Sequence, residues 1–467
     1  MSGGMLVALR DRTAVDLGAS PPVLERAGIR LPMPALAAPE AGPLARVLAA
    51  PTDAVTLSEL AAEGGPVALA RWMTWSRRAM RFGLLAYRLV DEHGELIAEF
   101  VPTAAGAPDL ADPAPLPSAS LLLLSRFALL HRGDGALTLE SPQGTLRAEL
   151  SGVAAAVVAA FMVPRTGAAA SIPGMNADTA ETLVAALYAG GLLVTVDDDG
   201  RAAEDDDPVL SQWELPDLLL HARSRYAVAD RPRGGTFRFV GIRPAPAALA
   251  FDFGVPAIPL PRPDLDLLAR EDPPFAAVME ARASRRSLGP IDAARLGEFL
   301  YRSVRVRRAF DAGDDPRDYP MTVRPHPAGG GMHELTTYLV IGECADIERG
   351  FYRYDPVGHG LDPVAPWGPR VHTLLGDAGK ATGSDIVPPL AVILAADFRR
   401  LSWKYEGIAY PTILKNVGVV YATMQLVATA MGLGSCPLGG GDSELFALAA
   451  GTRAIEHTSV GEFLLGA

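Results

Sequence analysis

Residues 416–441 read NVGVVYATMQLVATAMGLGSCPLGGG, an apolar run that passes directly into a glycine-rich loop. The 19 residues from Asn416 to Gly434 carry no charge, and length alone would permit a membrane span. Asn416, Gln425 and the flanking Lys415 instead favour a buried core helix. The following loop has more glycines than a helix C-cap needs, and its backbone amides suit a phosphate or the edge of a flat ring.

From about residue 261 onward, helical patterns alternate with apolar strand-like runs such as TTYLVIG and LAVILAAD. This order is typical of an α+β or α/β fold. The sequence predicts four regions: an N-terminal α+β region at 1–117, a winged-helix-like domain at 118–205, a linker region at 206–260 and a C-terminal domain at 261–467.

The winged-helix-like interpretation depends on two helical runs, 153–162 and 176–190, that are followed by short strands. The second run contains no Lys or Arg, so it lacks the basic recognition helix of a DNA reader. A peptide-binding use of this domain is favoured. The 1–117 region, in which a hairpin is predicted around residues 92–94, is a possible peptide-docking unit.

The net charge of the 467-residue chain is −12, which disfavours nucleic acid as the main partner. Arg10, Asp11 and Arg12 interrupt the N-terminus before any long apolar stretch. We therefore predict no signal peptide, no membrane association and a cytoplasmic location. Cys344 and Cys436 are the two cysteines, so neither a disulfide framework nor a Cys-rich zinc site is expected.

Two segments ahead of the apolar run are suited to hold an anionic, flat ligand. Arg282, Ser284 and Arg286 offer a phosphate cradle, because guanidinium groups pair bidentately with phosphate oxygens. Residues 324–334 read RPHPAGGGMHE, in which prolines make a rigid approach and glycines a permissive turn. The segment lacks the GK[ST] of a phosphate-binding P-loop. Its histidines do not have the spacing of a zinc motif, so no metal is predicted.

Lys404 and Tyr405 are two adjacent proton-transfer groups just before the long apolar run. A lysine in an apolar cleft loses charge stabilisation, so its pKa is expected to fall toward neutrality. A neutral lysine beside a tyrosine can accept and pass on a proton.

In this order, the segments resemble the FMN-dependent nitroreductase-fold superfamily and, more narrowly, the SagB-type peptide dehydrogenases. The closest likeness is in the C-terminal segments YEGIAYPTILKNVGVVYATMQLVATAMGLGSCPLGGGDSELFALAAG and SVGEFLLG. The segments RPHPAGGGMHELTTYLV and GFYRYDPVGHGL match too. Upstream, HARSRYAV and GGTFRF resemble the region that precedes the flavin domain in these enzymes. The likeness covers about residues 120–467 and is poor over 1–117.

The resemblance implies an α+β, nitroreductase-like FMN domain and assigns roles by position. It implies that the FMN phosphate and ring are held at Arg282, Ser284 and Arg286. It implies a flavin-contacting turn at Pro325, Gly329, Gly330 and Gly331, and a loop under the isoalloxazine at Pro437, Leu438, Gly439 and Gly440. The implied catalytic pair is Lys404 and Tyr405. Three features depart from the family pattern. They are the His333-Glu334 pair, Ala422 where glutamine is frequent, and Arg453 as the one late basic residue.

The implied reaction is the oxidation of thiazolines or oxazolines to thiazoles or oxazoles in a ribosomally made precursor peptide. A hydride passes to flavin N5, a proton passes to a base, Lys404 or Tyr405, and dioxygen reoxidises the flavin. The implied partners are the precursor peptide, a YcaO-type cyclodehydratase and a second copy in a homodimer. Two alternatives stay open: an NAD(P)H-dependent nitro or quinone reductase, and a non-catalytic peptide-binding scaffold.

Overall fold

The structure is a computed structural model that describes residues 4–34, 41–111, 115–117, 121–133, 135–167, 174–225, 231–251, 256–383 and 387–467. The chain divides into two compact units, Met1–Arg233 and Gly234–Ala467. This division differs from the four regions expected from the sequence. Residue 117 does not separate two units, because strands on both sides of it belong to one sheet.

The first unit is built on an antiparallel seven-stranded sheet with the strand order β5-β1-β6-β7-β11-β10-β9. Its elements are β1 (Gly4–Leu9), β2 (Ala14–Asp16), β3 (Val23–Arg26), β4 (Ile29–Pro32), α1 (Ala41–Ala49), β5 (Thr52–Asp53), α2 (Ala54–Ala62), α3 (Pro66–Arg81), β6 (Leu85–Val90), β7 (Leu96–Pro102), β8 (Leu121–Leu124), β9 (Leu129–Arg132), β10 (Leu137–Glu140), β11 (Leu146–Leu150), α4 (Gly152–Ala160), β12 (Arg165–Thr166), α5 (Ala177–Ala189), β13 (Leu193–Thr195), α6 (Ala203–Asp206) and α7 (Leu215–Arg223).

The hairpin predicted around residues 92–94 is confirmed, since β6 and β7 pair antiparallel across that turn. In the region expected to be winged-helix-like, α4 and α5 are present beside a small sheet of order β12-β8-β13. However, β9, β10 and β11 lie in the large sheet instead. One hydrophobic core contains Val7, Phe100, Leu146 and Leu183, so apolar contacts join the predicted 1–117 and 118–205 regions into a single unit.

The second unit has a seven-stranded sheet of order β15-β22-β21-β19-β23-β26-β25. Its elements are β14 (Gly234–Gly235), β15 (Ile258–Pro259), α8 (Leu265–Glu271), α9 (Phe275–Ala281), β16 (Ile291–Asp292), α10 (Ala293–Val304), β17 (Arg308–Phe310), β18 (Met321–Val323), β19 (Leu335–Ile341), β20 (Cys344–Ala345), β21 (Gly350–Asp355), β22 (Gly360–Pro366), α11 (Pro369–Lys380), β23 (Leu390–Asp397), α12 (Phe398–Lys404), β24 (Tyr405–Glu406), α13 (Ala409–Ala430), β25 (Gly434–Pro437), α14 (Ser443–Ala450) and β26 (His457–Gly466).

Helices cover both faces of this sheet. Side chains of β19 and β23 alternate between a core shared with α10 and α13 and a core shared with α11 and α14. Because both faces are buried, these strands are continuous apolar runs in the sequence. The α+β class predicted for this part of the chain is therefore confirmed.

Helix α13 is long and apolar enough to cross a membrane by length and composition alone. In this unit, one side of it is core: Ile413, Val417, Val420 and Met424 are buried in the cluster that includes α10. The helix begins seven residues before the predicted start at Asn416 and ends before the glycine loop. Its two buried polar side chains, Asn416 and Gln425, contact the candidate site.

Candidate functional site

The predicted pair Lys404–Tyr405 lies where α12 ends and β24 begins. The Asp397 carboxylate caps the start of α12 by accepting a hydrogen bond from the Arg399 amide at 3.0 Å. Lys404 Nζ donates to Tyr319 Oη at 2.6 Å. Tyr319 Oη in turn donates to the carbonyl oxygen of Gly330 at 2.9 Å. Tyr319 thus connects the pair to the glycine turn.

Three aromatic rings surround the Lys404 head group. Nζ lies 4.8 Å from the ring centre of Tyr319, 5.1 Å from that of Tyr405 and 5.5 Å from that of Phe237. Aromatic faces attract an ammonium ion, and each such contact stabilises the charged form. We call Phe237, Tyr319 and Tyr405 the aromatic box.

The sequence-based expectation that the pKa of Lys404 falls toward neutrality is wrong for this structure. Burial by itself lowers the pKa of Lys404, but the hydrogen bond to Tyr319 and the electrostatic effects of Tyr405 and Tyr319 outweigh it, and the pKa is raised. Lys404 is therefore an ammonium ion at neutral pH, a donor and a fixed positive charge.

The glycine turn predicted to contact a ligand lies directly against this pair. Gly330 has a φ of +63°, and a Cβ placed on it would lie 2.7 Å from Tyr405 Oη and 2.9 Å from Lys404 Nζ. Glycine is required there both by the backbone conformation and by the closeness of the pair. Gly329 and Gly331 complete the same short 3₁₀ turn, and Pro325 is half-buried shortly before it.

Behind the turn, Asn416 of α13 and Glu334 form a buried polar connection. The Gly329 amide donates to Asn416 Oδ1 at 3.1 Å. Asn416 Nδ2 donates to the two carboxyl oxygens of Glu334 at 2.9 and 3.1 Å. Burial raises the pKa of Glu334 above its ordinary value despite these hydrogen bonds. The Glu334 side chain, which departs from the family pattern, thus holds the asparagine that orients the turn.

Two buried arginines fix the surrounding backbone. Arg400 donates from Nε to the Met332 carbonyl at 2.7 Å and from Nη2 to the Pro320 carbonyl at 3.3 Å. It therefore ties the glycine turn to the loop that carries Tyr319. Arg324 donates to the Leu335 carbonyl at 3.3 Å. Burial lowers the pKa of each guanidinium to about 10, so both remain charged at neutral pH.

His326 and His333 pack against each other with ring centres 5.1 Å apart. Burial, together with the charge of Arg324, lowers the pKa of His326 to about 4 and that of His333 to about 3. Both imidazoles are neutral at neutral pH. In the part of the chain that the structure describes, no three His, Cys, Asp or Glu side chains are grouped to hold a metal ion.

Replacing Asn416 with alanine is expected to lower the free energy of unfolding by about 2–3 kcal/mol, because the buried Glu334 carboxyl loses both hydrogen bonds from the Asn416 amide group. A carboxyl with a raised folded pKa loses stability as pH rises through that value. The loss in free energy of unfolding caused by Asn416→Ala should therefore be larger at mildly alkaline than at mildly acidic pH. Chemical denaturation at both pH values measures this. Thr423→Ala, which removes a hydroxyl bonded only within α13, is the control, and an equal, pH-independent loss in both variants would contradict the assignment.

The predicted phosphate ligands form a second group of side chains. Arg282 is the C-cap of α9, and Arg282, Ser284 and Arg286 are all exposed on the irregular segment that follows the helix. The amide of the intervening Arg285 donates to the Ser435 carbonyl of β25 at 2.8 Å. Gln425 Nε2 of α13 donates to Ser284 Oγ at 3.4 Å. This segment therefore runs along β25 and the end of α13.

The loop after β25 contains Pro437, Leu438, Gly439 and Gly440. Leu438 is buried, and its amide donates to the Glu462 carbonyl at 2.9 Å. Gly439 and Gly440 are exposed, and a Cβ on either would meet no atom within 4 Å. The loop is anchored on one side and open on the other, an arrangement that suits a flat ligand.

The structure thus collects the predicted residues into two groups. Gly330, Lys404 and Tyr405 are in contact, whereas the Arg282–Arg286 segment lies beside β25. Helix α13 reaches both groups, through Asn416 and Gln425. These side chains are nine residues apart, about 14 Å along a helix axis.

Four residues of the site were not predicted from the sequence. Asn416 and Gln425 had a signal, since each is a polar residue in an otherwise apolar helix. Phe237 lies in the GGTFRF segment that resembles the family, but nothing indicated its contact with Lys404. Tyr319 lies in the acidic stretch DAGDDPRDYP, which reads as an ordinary surface loop.

Comparisons with known proteins match one family to a part of each unit. Residues 122–230 match the Cyanobactin oxidase ThcOx family and residues 308–463 match the Nitroreductase family. A nitroreductase-family protein of Methanocaldococcus jannaschii is 26% identical over 113 residues, which are 24% of this chain and 56% of that protein. The chain thus spans little more than half the length of that curated relative.

Similar solved structures include a nitroreductase-family protein of Ralstonia eutropha, with 20% identity, a TM-score of 0.35 and coverage of 48% of this chain and 94% of that one. The Escherichia coli microcin synthetase McbBCD complex with bound truncated pro-MccB17 has 19% identity, a TM-score of 0.32 and coverage of 39% and 66%. A nitroreductase-family protein of Exiguobacterium sibiricum in complex with FMN has 13% identity, a TM-score of 0.29 and coverage of 42% and 88%.

Because these TM-scores are low, the assignment rests on the two family matches. The 308–463 match gives the second unit a nitroreductase-family domain, preceded by a region of the ThcOx type in the first unit. This pairing confirms the SagB-type, nitroreductase-fold resemblance recognised in the sequence.

Proposed function

We propose that this protein is an FMN-dependent oxidoreductase that converts thiazolines or oxazolines in a precursor peptide to thiazoles or oxazoles. The observation that carries the proposal is the contact of Lys404 and Tyr405 with the Gly330 turn in a nitroreductase-family domain. The ThcOx-type region ahead of that domain supports a peptide substrate.

The side chains present fit FMN. Arg282, Ser284 and Arg286 are exposed donors of the kind that bind a phosphate. A Cβ at Gly439 or Gly440 would enter open space, so this part of the backbone is accessible to a flat ring. Bound FMN would supply a two-electron acceptor for the hydride that leaves the azoline ring.

Oxidation of an azoline also releases a proton from carbon, and this chain must accept it. Lys404 is already an ammonium ion because its pKa is raised, so we assign the acceptor role to the Tyr405 oxygen in its phenolate form, which becomes a neutral phenol when it takes the proton. The Lys404 charge, 5.1 Å from the Tyr405 ring centre, stabilises negative charge on that oxygen. Tyr319, which accepts from Lys404 and donates to Gly330, holds the ammonium in place.

We further propose the partners that this reaction needs. A cyclodehydratase of the YcaO type would supply the azoline-bearing peptide, because dehydrative ring closure must precede dehydrogenation. A homodimer and a cytoplasmic location complete the proposal. The first unit, with its ThcOx-type region, is the part proposed to dock the peptide.

Mass spectrometry of an azoline-bearing peptide incubated with the FMN-loaded protein tests the reaction. The expected result is the loss of two hydrogen atoms for each ring, without loss or gain of any other atom. An unchanged peptide, with FMN bound, would exclude the proposed activity for that substrate class.

Gly330→Ala is expected to reduce azoline oxidation at least about 10²-fold, because displacement of a catalytic group by even 1 Å costs this much. The added Cβ would overlap both Lys404 Nζ and Tyr405 Oη. Gly331→Ala is the matched control, since Gly331 has a nearly equal φ of +66° but its Cβ would meet only Met321 Sδ at 3.5 Å. Both variants carry the same backbone strain, so equal rates in the two would contradict the role of the contact.

A further inference from the structure

A segment that belongs to neither matched family region completes the site. Residues 234–243 read GGTFRFVGIR and lie between the matches at 122–230 and 308–463. Strand β14 of this segment pairs with β24, placing Gly235 opposite Tyr405. The Phe237 amide donates to the Lys404 carbonyl at 3.0 Å. The segment is therefore bound to the main chain of both members of the catalytic pair.

The far end of the same segment is also anchored to α12. Trp403 Nε1 donates to the Arg243 carbonyl at 3.0 Å. Thr236 Oγ1 donates to the Glu406 carboxylate at 3.1 Å, and Arg238 lies 3.8 Å from that carboxylate. These contacts lie on both sides of Lys404 and Tyr405 in the chain.

Phe237 occupies a costly backbone conformation at the centre of this segment. Its φ is +53°, a value that a bulky side chain rarely adopts. Such conformations occur where the surrounding structure enforces them, and they are concentrated at functional sites. Here the strained backbone coincides with a ring whose centre lies 5.5 Å from Lys404 Nζ and 5.8 Å from the Trp403 ring.

We propose that Phe237 is a positioning residue for Lys404, which together with Tyr319 holds the ammonium group between Gly330 and Tyr405. The assignment rests on the proposed function, because it leaves Tyr405 as the proton acceptor and makes Lys404 the fixed charge beside it. Phe237 is proposed to act through Lys404, whose Nζ lies 5.5 Å from the Phe237 ring centre.

Lysine is rare in this chain, and one of the few lysines stands at position 404. The chain contains 39 arginines and three lysines, Lys380, Lys404 and Lys415. A compact ammonium, unlike the wide planar guanidinium, concentrates its charge at one point. The titratable or charged groups around it are Tyr319, Tyr405 and, at the edges of the box, Glu406, Arg238 and Arg317, the last of which lies 6.0 Å from the Phe237 ring centre.

Because there are three lysines, the titration of Lys404 can be followed directly. The full chain labelled with ¹³Cε-lysine gives three signals, which Lys380→Arg and Lys415→Arg assign. Phe237→Leu, which keeps an apolar side chain but removes the ring, is expected to lower the titration midpoint of Lys404. Phe237→Tyr is expected to restore it. An unchanged midpoint in Phe237→Leu would overturn the proposal.

Phe239→Leu is the matched control, since the Phe239 ring lies 4.7 Å from Arg238 and 5.1 Å from Arg243 and is not part of the aromatic box. The titration midpoint of Lys404 in Phe239→Leu should equal that in the unmodified protein. An equal shift of this midpoint in both leucine variants would overturn the specific role of Phe237. Should Phe237→Leu fail to fold, Tyr319→Phe keeps a ring, removes the hydrogen bond to Lys404, and should lower the midpoint as well.

A second measurement tests whether Phe237 affects the rate of the proposed reaction. The rate at which an azoline peptide reduces the bound flavin should fall about tenfold in Phe237→Leu, the size of a partly buried cation–π contact, and recover in Phe237→Tyr. A normal rate in Phe237→Leu would overturn the positioning role. If the Lys404 midpoint shifts as expected but even the unmodified protein does not oxidise azolines, the positioning role stands and the proposed function fails.

Discussion

The double variant Lys404→Ala/Tyr405→Phe is expected to retain bound FMN and to lose at least about 10³-fold in the rate of azoline oxidation. Positioned proton transfer contributes about 10²–10⁴-fold in enzymes, and this variant removes both the proposed acceptor and the charge beside it. Single-turnover flavin reduction by the peptide, with flavin content measured on the same sample, gives both quantities.

Lys380→Ala is the control for the loss of a lysine. Lys380 is an exposed residue of α11 whose partner is Asp377, and its loss should leave the rate unchanged. If the double variant instead lost FMN while its residual flavin reacted at the normal rate, Lys404 and Tyr405 would be structural supports of the cofactor site and the proposed mechanism would fail.

The double variant Arg282→Ala/Arg286→Ala is expected to weaken FMN binding about 10²–10⁴-fold, so that the protein is purified colourless. Hydrogen bonds to a charged group contribute about 1.5–3 kcal/mol each, and both guanidiniums are lost. Fluorescence titration with FMN measures the change in affinity.

Arg285→Ala is the matched control for this pair. Arg285 lies between the two proposed ligands, but its Cβ and Cδ pack 3.5 and 3.7 Å from the position that a Cβ on Gly434 would take. Its backbone amide, which bonds Ser435, is unaffected by the substitution. The FMN affinity of Arg285→Ala should therefore stay within a few-fold of that of the unmodified protein. An equal loss of affinity in the single and the double variant would mean that the general positive charge of the segment, and not specific contacts from Arg282 and Arg286, binds the cofactor.

Patterns that depend on local chemistry were readable from the sequence. The apolar runs of β19 and β23, the helix around Asn416 and the hairpin of β6 and β7 all follow from periodicity and turn residues, and all are present. The family resemblance implied separate roles for the glycine turn and for Lys404 and Tyr405, and the geometry of Gly330 shows that the turn and the pair lie together.

Features that depend on distant parts of the chain were not readable. Phe237 and Tyr319 are 167 and 85 residues from Lys404 in the sequence, and neither lies in a pattern that indicates a lysine contact. The pKa of Lys404 was predicted in the wrong direction, since burial alone lowers it and the hydrogen bond to the distant Tyr319, with the electrostatic effects of Tyr405 and Tyr319, reverses the shift. Similarly, the sheet that joins both sides of residue 117 depends on non-local strand pairing.

Anaerobic bleaching of the visible flavin band distinguishes an azoline dehydrogenase from an NADPH-dependent reductase. An azoline-bearing peptide and NADPH are offered separately to the FMN-loaded protein, without dioxygen. We predict bleaching by the peptide alone, with the azole as the product. Bleaching by NADPH and not by the peptide would contradict it and identify a reductase, and a chain that binds no FMN would leave only the peptide-binding scaffold.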